Sequence, residues 1–522
     1  MAALLLMAGL GATAAPTAAV SPFESPAEPR PRNEIDKLVF AQLERLGIPP
    51  ARNCSDAVFV RRAYLDVIGT LPTAREARDF LLDRGPDKRQ ALIERLLGRE
   101  EFADYRAMKW SDLLRIKAEF PINLWPNAAQ AYHHWVRTSL KQNMPYDRFV
   151  RELLTASGSN FRVPQVNFYR AMQNREPQGI AQTVALTFMG TRAEKWPKDR
   201  LAGMAGFFAQ VGYKSTAEWK EEIVFFDAGK TNALSADGGP PAAVFPDGVA
   251  ARLQPGHDPR EAFADWLVNP KNPWFARNIA NRVWSWLMGR GIIHEPDDIR
   301  PDNPPSNPEL LAFLEQELIS AHYDLMHLYR LILNSQIYQL SSIPGGDRAK
   351  AEANFACYPV RRLEAEVLID ALNEITGSTE QYSSAIPEPF TFIPLEQRSI
   401  ALPDGSISSS FLELFGRPPR DTGLESERNT RPTAAQELHL LNSSHIQRKL
   451  EQSRKLQNLI ESKAAPREIV SGLYLMILSR FPTEEELKTV SAYAKSGAEN
   501  GRETMIDLAW GLINSAEFLY RH

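Results

Sequence analysis

The chain has 522 residues, of which 43% are hydrophobic and 24% charged, and its formal net charge is -4. That length predicts two domains of ordinary size rather than one core, and the small charge gives no reason to expect nucleic acid or an anionic membrane as partner. The two cysteines, Cys54 and Cys357, stand far apart, which excludes the paired thiols and adjoining histidine of covalent haem and the ligand clusters of structural zinc.

Met1 to Thr13 is small and apolar, with Leu4, Leu5, Leu6, Met7 and Leu10 as a short hydrophobic run. Ala12-Thr13-Ala14 and Thr17-Ala18-Ala19 then supply small-residue cleavage sites, so residues 1–19 read as an export signal peptide, although no Lys or Arg precedes Arg30. The run is too short to span a bilayer, and no transmembrane span is expected once it is removed. The proline-rich residues 20–32 read as a linker.

From Asn33 the pattern turns helical. Ile35, Leu38, Val39, Leu43 and Leu46 recur at helix spacing, and Gly47-Ile48-Pro49-Pro50 stops the run. Ser55-Asp56 opens a helix through Phe59, Tyr64 and Leu65 to Ile68, and further helices follow from Pro72-Thr73, over Asp87 to Leu97 and over Phe102 to Leu114. Lys214 to Glu222 mixes charges around Trp219 and reads as a solvated helix face, while Glu222 to Asp227 reads as a strand. Residues 231–257 read as the domain junction. They hold two short apolar pieces, Ala242-Ala243-Val244-Phe245 and Val249-Ala250-Ala251, suited to a small hairpin.

Asp258-Pro259 opens a second helical array, with Ala262, Phe263, Trp266 and Leu267 inward. Pro387 to Ser410 reads as a long loop. Ala434 to Phe518 returns to helices, and Thr483-Glu484-Glu485-Glu486 forms a capping-box start. The predicted fold class is therefore mainly α: two helical-array domains, 33–230 and 258–522, with a small β element near the junction.

Several residue sets carry candidate chemistry. Placed on one helix, Arg362, Glu366 and Asp370 are spaced by fours and share a face. With Arg361 and Glu364 they suit either an acid and base beside an anion-holding arginine or an ion-pair ladder. Arg62 and Asp66 have the same spacing and suggest a structural salt bridge. Asn281, Arg282 and Trp284 precede Gly289-Arg290-Gly291, which reads as a helix C-cap or as a ligand-approaching turn. The turn lacks the Lys-Ser/Thr pair of a P-loop.

The histidines His133 and His134, His322 and His327, and His439 and His445 lack the spacing of four that would aim two rings at one metal. No metal or other cofactor is implied. Trp266, Trp274, Trp284 and Trp286 suit core packing or a sugar-stacking platform. Cys54 and Cys357 suit buried free thiols or, in an oxidising compartment, a disulfide.

Two stretches carry a family resemblance. Arg61-Arg62-Ala63-Tyr64-Leu65-Asp66-Val67-Ile68-Gly69-Thr70-Leu71-Pro72-Thr73 and Asn143-Met144-Pro145-Tyr146-Asp147-Arg148-Phe149-Val150 resemble the planctomycete secreted cytochrome-associated (PSCyt-type) domain. The second half resembles its usual companion, the planctomycete secreted (PSD-type) domain. It does so through Asn272-Pro273-Trp274-Phe275, Asn281-Arg282-Val283-Trp284, Arg361-Arg362-Leu363-Glu364-Ala365-Glu366 and Asn514-Ser515-Ala516-Glu517-Phe518.

The resemblance implies planctomycete-like or verrucomicrobial-like bacteria, often a neighbouring cytochrome c module, and no settled activity. Many relatives carry a Cys-Ala-x-Cys-His stretch where this chain runs from Phe188-Met189-Gly190-Thr191-Arg192 to Glu194-Lys195-Trp196-Pro197. An exported scaffold or binding partner of an envelope protein or glycan is the first expectation. An envelope hydrolase, with Arg361 to Asp370 and Asn281-Arg282 lining one cleft, is the second, and a cytochrome c accessory the third.

Overall fold

The computed structural model describes residues 21–230, 243–254, 256–462, 464–495 and 501–522. The predicted signal peptide at 1–19 and the 231–242 part of the junction lie outside the described residues. The chain is mainly helical, with two small sheets.

Local chemistry places the helix starts. Asn33 caps Glu34–Leu46 with a full capping box to Asp36, and Gly47 ends that helix at φ 65°. Ser55 caps Asp56–Val67 and Thr73 caps Ala74–Leu82. Four helices are buried on nearly every side: Asp56–Val67, Glu100–Leu113, Phe275–Met288 and Ala365–Thr376. A helix enclosed all round has no solvent face for its charged residues, so Arg62, Asp66, Lys109, Asp112, Arg282, Glu366 and Asp370 end in the interior.

Apolar packing crosses the 231–257 segment. One core runs from Ile35 to Tyr358 and takes in both the early helices and Phe263, Phe275, Trp284 and Leu333. A second core holds Leu363 to Phe518, and Leu65, Leu71, Tyr105 and Met108 reach into it from the first part of the chain. The two cores meet where Arg361–Arg362 pairs antiparallel with Tyr520–Arg521.

The second sheet combines Gly158–Ser159, Glu222–Phe226 and Val211–Ser215, with Glu222–Phe226 in the middle. Lys214 to Glu222 is therefore not a helix face. It closes a hairpin and leaves Trp219 68% exposed at the tip, because the β-rich runs on either side pair with each other. A smaller hairpin joins Val244 to Ala250. The proline-rich linker is held from its start: Glu24 bridges Cys54, and Ser55 Oγ donates to the Pro22 carbonyl at 2.7 Å.

Candidate functional site

The Arg361–Arg362 strand corrects the expected ladder. Arg362 lies in that strand and the helix begins only at Ala365, so Arg362 does not share a helix face with Glu366 and Asp370. Arg362 instead donates to Gln436 and, at 2.8 Å, to the Phe415 carbonyl, with its guanidinium over the Phe415 ring. Glu366 receives Arg428 at 2.6 and 3.0 Å, with Arg417 at 3.5 Å. Asp370 accepts the backbone N–H groups of Ser399 and Ile400 at 2.8 and 3.1 Å, and Arg398 lies 3.8 Å away.

The expected Arg62–Asp66 pair is also absent. Asp66 accepts the hydroxyls of Tyr338 and Tyr358 at 3.0 and 2.7 Å and faces Arg361 and Arg521 at 3.3 and 3.2 Å. Arg62 donates to the carbonyls of Tyr338, Leu340 and His522 and stacks on Tyr358. Glu364 accepts Lys109 at 2.8 Å, the Tyr105 hydroxyl at 3.2 Å, and Arg521. Tertiary partners win because the interior offers stronger, desolvated hydrogen bonds than one helical turn supplies.

Burial alone would push the Glu364 and Glu366 carboxyls up. Arg521 and Lys109 beside Glu364, and Arg428 beside Glu366, outweigh it and hold both below the usual range. Asp370 goes the other way. Burial pushes it up to about 6 against the pull of Arg398 and the two amides.

The other sequence candidates brace the fold. The Asn281 amide exchanges hydrogen bonds with the Ile293 backbone at 2.8 and 3.0 Å. Arg282 pairs with Asp297 at 2.8 Å and Glu425 at 3.2 Å. Trp284 is buried edge-on to Phe355, and Trp266 and Trp274 pack on each other. Gly289 ends its helix in the left-handed region at φ 72°. Arg290 makes no ion pair among the described residues, and its Nε is buried without an acceptor.

An open cleft of about 680 Å³ lies where the two cores meet. Of the sequence candidates, Arg361, Arg362 and Glu364 line it; Glu366, Asp370, Asn281, Arg282, Trp284 and Arg290 do not. Lys109, Arg428, Arg431 and Arg521 complete its cationic wall. No sequence signal pointed to these four, since they come from distant parts of the chain.

A second groove, about 630 Å³, is lined by Asn127, Gln130, His134, Phe392 and Gln397 and has no Lys, Arg, Asp or Glu in its wall. Beside it, Trp125 meets Trp219 and Phe390 with ring centres 6.2 and 5.3 Å apart. Phe120, Trp219 and Phe392 are all more than two-thirds exposed. The aromatic surface is thus built from loops, not from the clustered tryptophans at 266–286.

Cys54 and Cys357 are both free and buried, and no disulfide joins them. His439 and His445 do touch, at 3.3 Å, and His445 reaches Glu380 at 3.0 Å. Among the described residues no group of three or more His, Cys, Asp or Glu side chains is placed to hold a metal ion, and no helix is long and apolar enough to cross a membrane.

This architecture defines a mainly helical protein with an arginine-lined cleft between its cores. Two family models match it: PSCyt2, a protein of unknown function (DUF1549), at residues 34–200, and PSD1, a protein of unknown function (DUF1553), at residues 259–494. The chain belongs to the two-domain planctomycete and verrucomicrobial family that these models define. No curated protein and no solved structure matches it.

Proposed function

We propose that the chain is an exported, non-catalytic scaffold or binding partner in the cell envelope. One observation carries this reading: the carboxylates that would serve as acid and base are already engaged. Glu364 is held by Lys109 and Arg521, Glu366 by Arg428 and Arg417, and Asp370 by two backbone amides. A general acid or base needs a carboxyl that can reach a substrate proton and titrate near working pH. Glu364 lines the cleft but stays ionised between two cations, and Asp370, though raised to about 6, is buried away from that cleft with both oxygens accepting backbone amides.

The exposed aromatics Trp219 and Phe390, which both meet the half-buried Trp125, support a binding role, since an apolar patch of this kind marks an interaction surface. Incubation of the mature protein with envelope polysaccharides tests the proposal. Retention of a polymer whose chain length stays unchanged is expected. New reducing ends that form in proportion to the amount of protein added would make the protein a hydrolase.

A further inference from the structure

Arginines in protein interiors are ordinarily matched by carboxylates, because an unneutralised buried charge is costly. In the wall of the 680 Å³ cleft, most cations meet that condition. Arg521 and Lys109 share Glu364, Arg361 and Arg521 share Asp66, and Arg428 spans Asp112 and Glu366. The acids of the wall are likewise committed. Glu425 takes Arg282 and the Trp286 indole N–H, and Glu295 faces Arg192.

Cationic groups are left over. Arg362, only 7% exposed, meets Gln436 and the carbonyls of Phe415 and Arg431, all neutral, and no carboxylate. Arg431 lines the cleft, is exposed, and its guanidinium meets no carboxylate among the described residues. A chain of net charge -4 thus concentrates uncompensated positive charge at one open cleft.

From this we infer that the cleft is an oxyanion-recognition site, taking a sugar or similar small organic molecule that carries a sulfate, phosphate or carboxylate group. Planar guanidinium groups bind such anions through paired, charge-assisted hydrogen bonds. The cleft is far larger than an inorganic anion and lies within the ~300–1,000 Å³ that small-molecule sites occupy, so the anion arrives attached to a larger body. This inference rests on the binding role proposed above and names the ligand class of that site.

Calorimetry on the mature protein tests it, with galactose 6-sulfate, glucose 6-phosphate, galacturonate, inorganic sulfate and unmodified galactose as titrants. At least one charged sugar is expected to bind, more tightly than inorganic sulfate, and with affinity that falls as salt is raised. Arg431→Gln, at a residue of the cleft wall that makes no ion pair, is expected to weaken it about tenfold while leaving the melting temperature unchanged. Binding by none of the charged sugars overturns the inference. So does galactose binding as well as they do, or affinity indifferent to that substitution. If a charged sugar binds and is then cleaved, the oxyanion site stands and the non-catalytic reading falls.

Discussion

Lys109 Nζ stands 2.8 Å from Glu364 Oε1 across 255 positions of sequence, with both side chains less than a tenth exposed. Arg521, from the end of the chain, completes the same site on the other carboxylate oxygen. Removing the carboxylate charge strands Lys109 and leaves Arg521 with Asp66 as its one carboxylate partner. Glu364→Gln is therefore expected to destabilise the protein by about 3–5 kcal/mol, read from urea unfolding at neutral pH. A loss below about 1 kcal/mol would mean that the pair does not hold the cores together.

Stability should decline on mild acidification. Burial, with arginines nearby, holds His133 and His522 down to about 3, against 6.5 for a free imidazole. The unfolded chain then takes up protons first. The contribution of each group is fully present above pH 6.5 and is lost as pH falls from 6.5 towards 3, by about 1.4 kcal/mol per pH unit.

Asp370, raised to about 6, opposes this, because between pH 6 and 4 the folded state takes the proton first. Two histidines outweigh one aspartate, so unfolding free energy at pH 5 is expected to be lower than at pH 7. His133→Leu should shrink the difference. Below about pH 4 the depressed carboxyls Asp112, Glu364 and Glu366 add a steeper loss.

Neither cysteine should react in the native protein. Cys54 and Cys357 are buried, and burial pushes the Cys357 thiol up to about 11, which keeps its nucleophilic thiolate scarce. Thiol titration is expected to find none fast-reacting in native buffer and both in denaturant without reductant. Zero in denaturant would reveal a disulfide.

Gly289 holds Arg361 in place. A Cβ there would lie 2.4 Å from Arg361 Cδ, and the backbone already sits at φ 72°. Gly289→Ala is expected to cost about 1–3 kcal/mol and to dislodge Arg361 from the carbonyls of Trp286 and Leu287. Thermal unfolding checks the first effect, and sulfated-sugar affinity the second.

Much of the secondary structure was legible because its causes are local. Asn33 and Gly47 bracket the first helix, Ser55 and Thr73 start the next two, and Glu222–Phe226 is a strand as its composition predicts. The site was legible only in part. Arg361, Arg362 and Glu364 do line the cleft, but the partners assigned to Arg62 and Arg362 by spacing were wrong. Trp219 was misplaced on a helix because a hairpin depends on which strand returns to pair.

The amino-acid order by itself determined where many helices begin and end, the family, and that no thiol pair is spaced to tether haem. Tertiary structure alone decided which charges face each other. Lys109, Glu364, Arg428 and Arg521 meet only after helices far apart in the chain pack together. Helical spacing states which side chains share a face, whereas the strength of a buried ion pair depends on desolvation and on partners that the fold brings in from elsewhere.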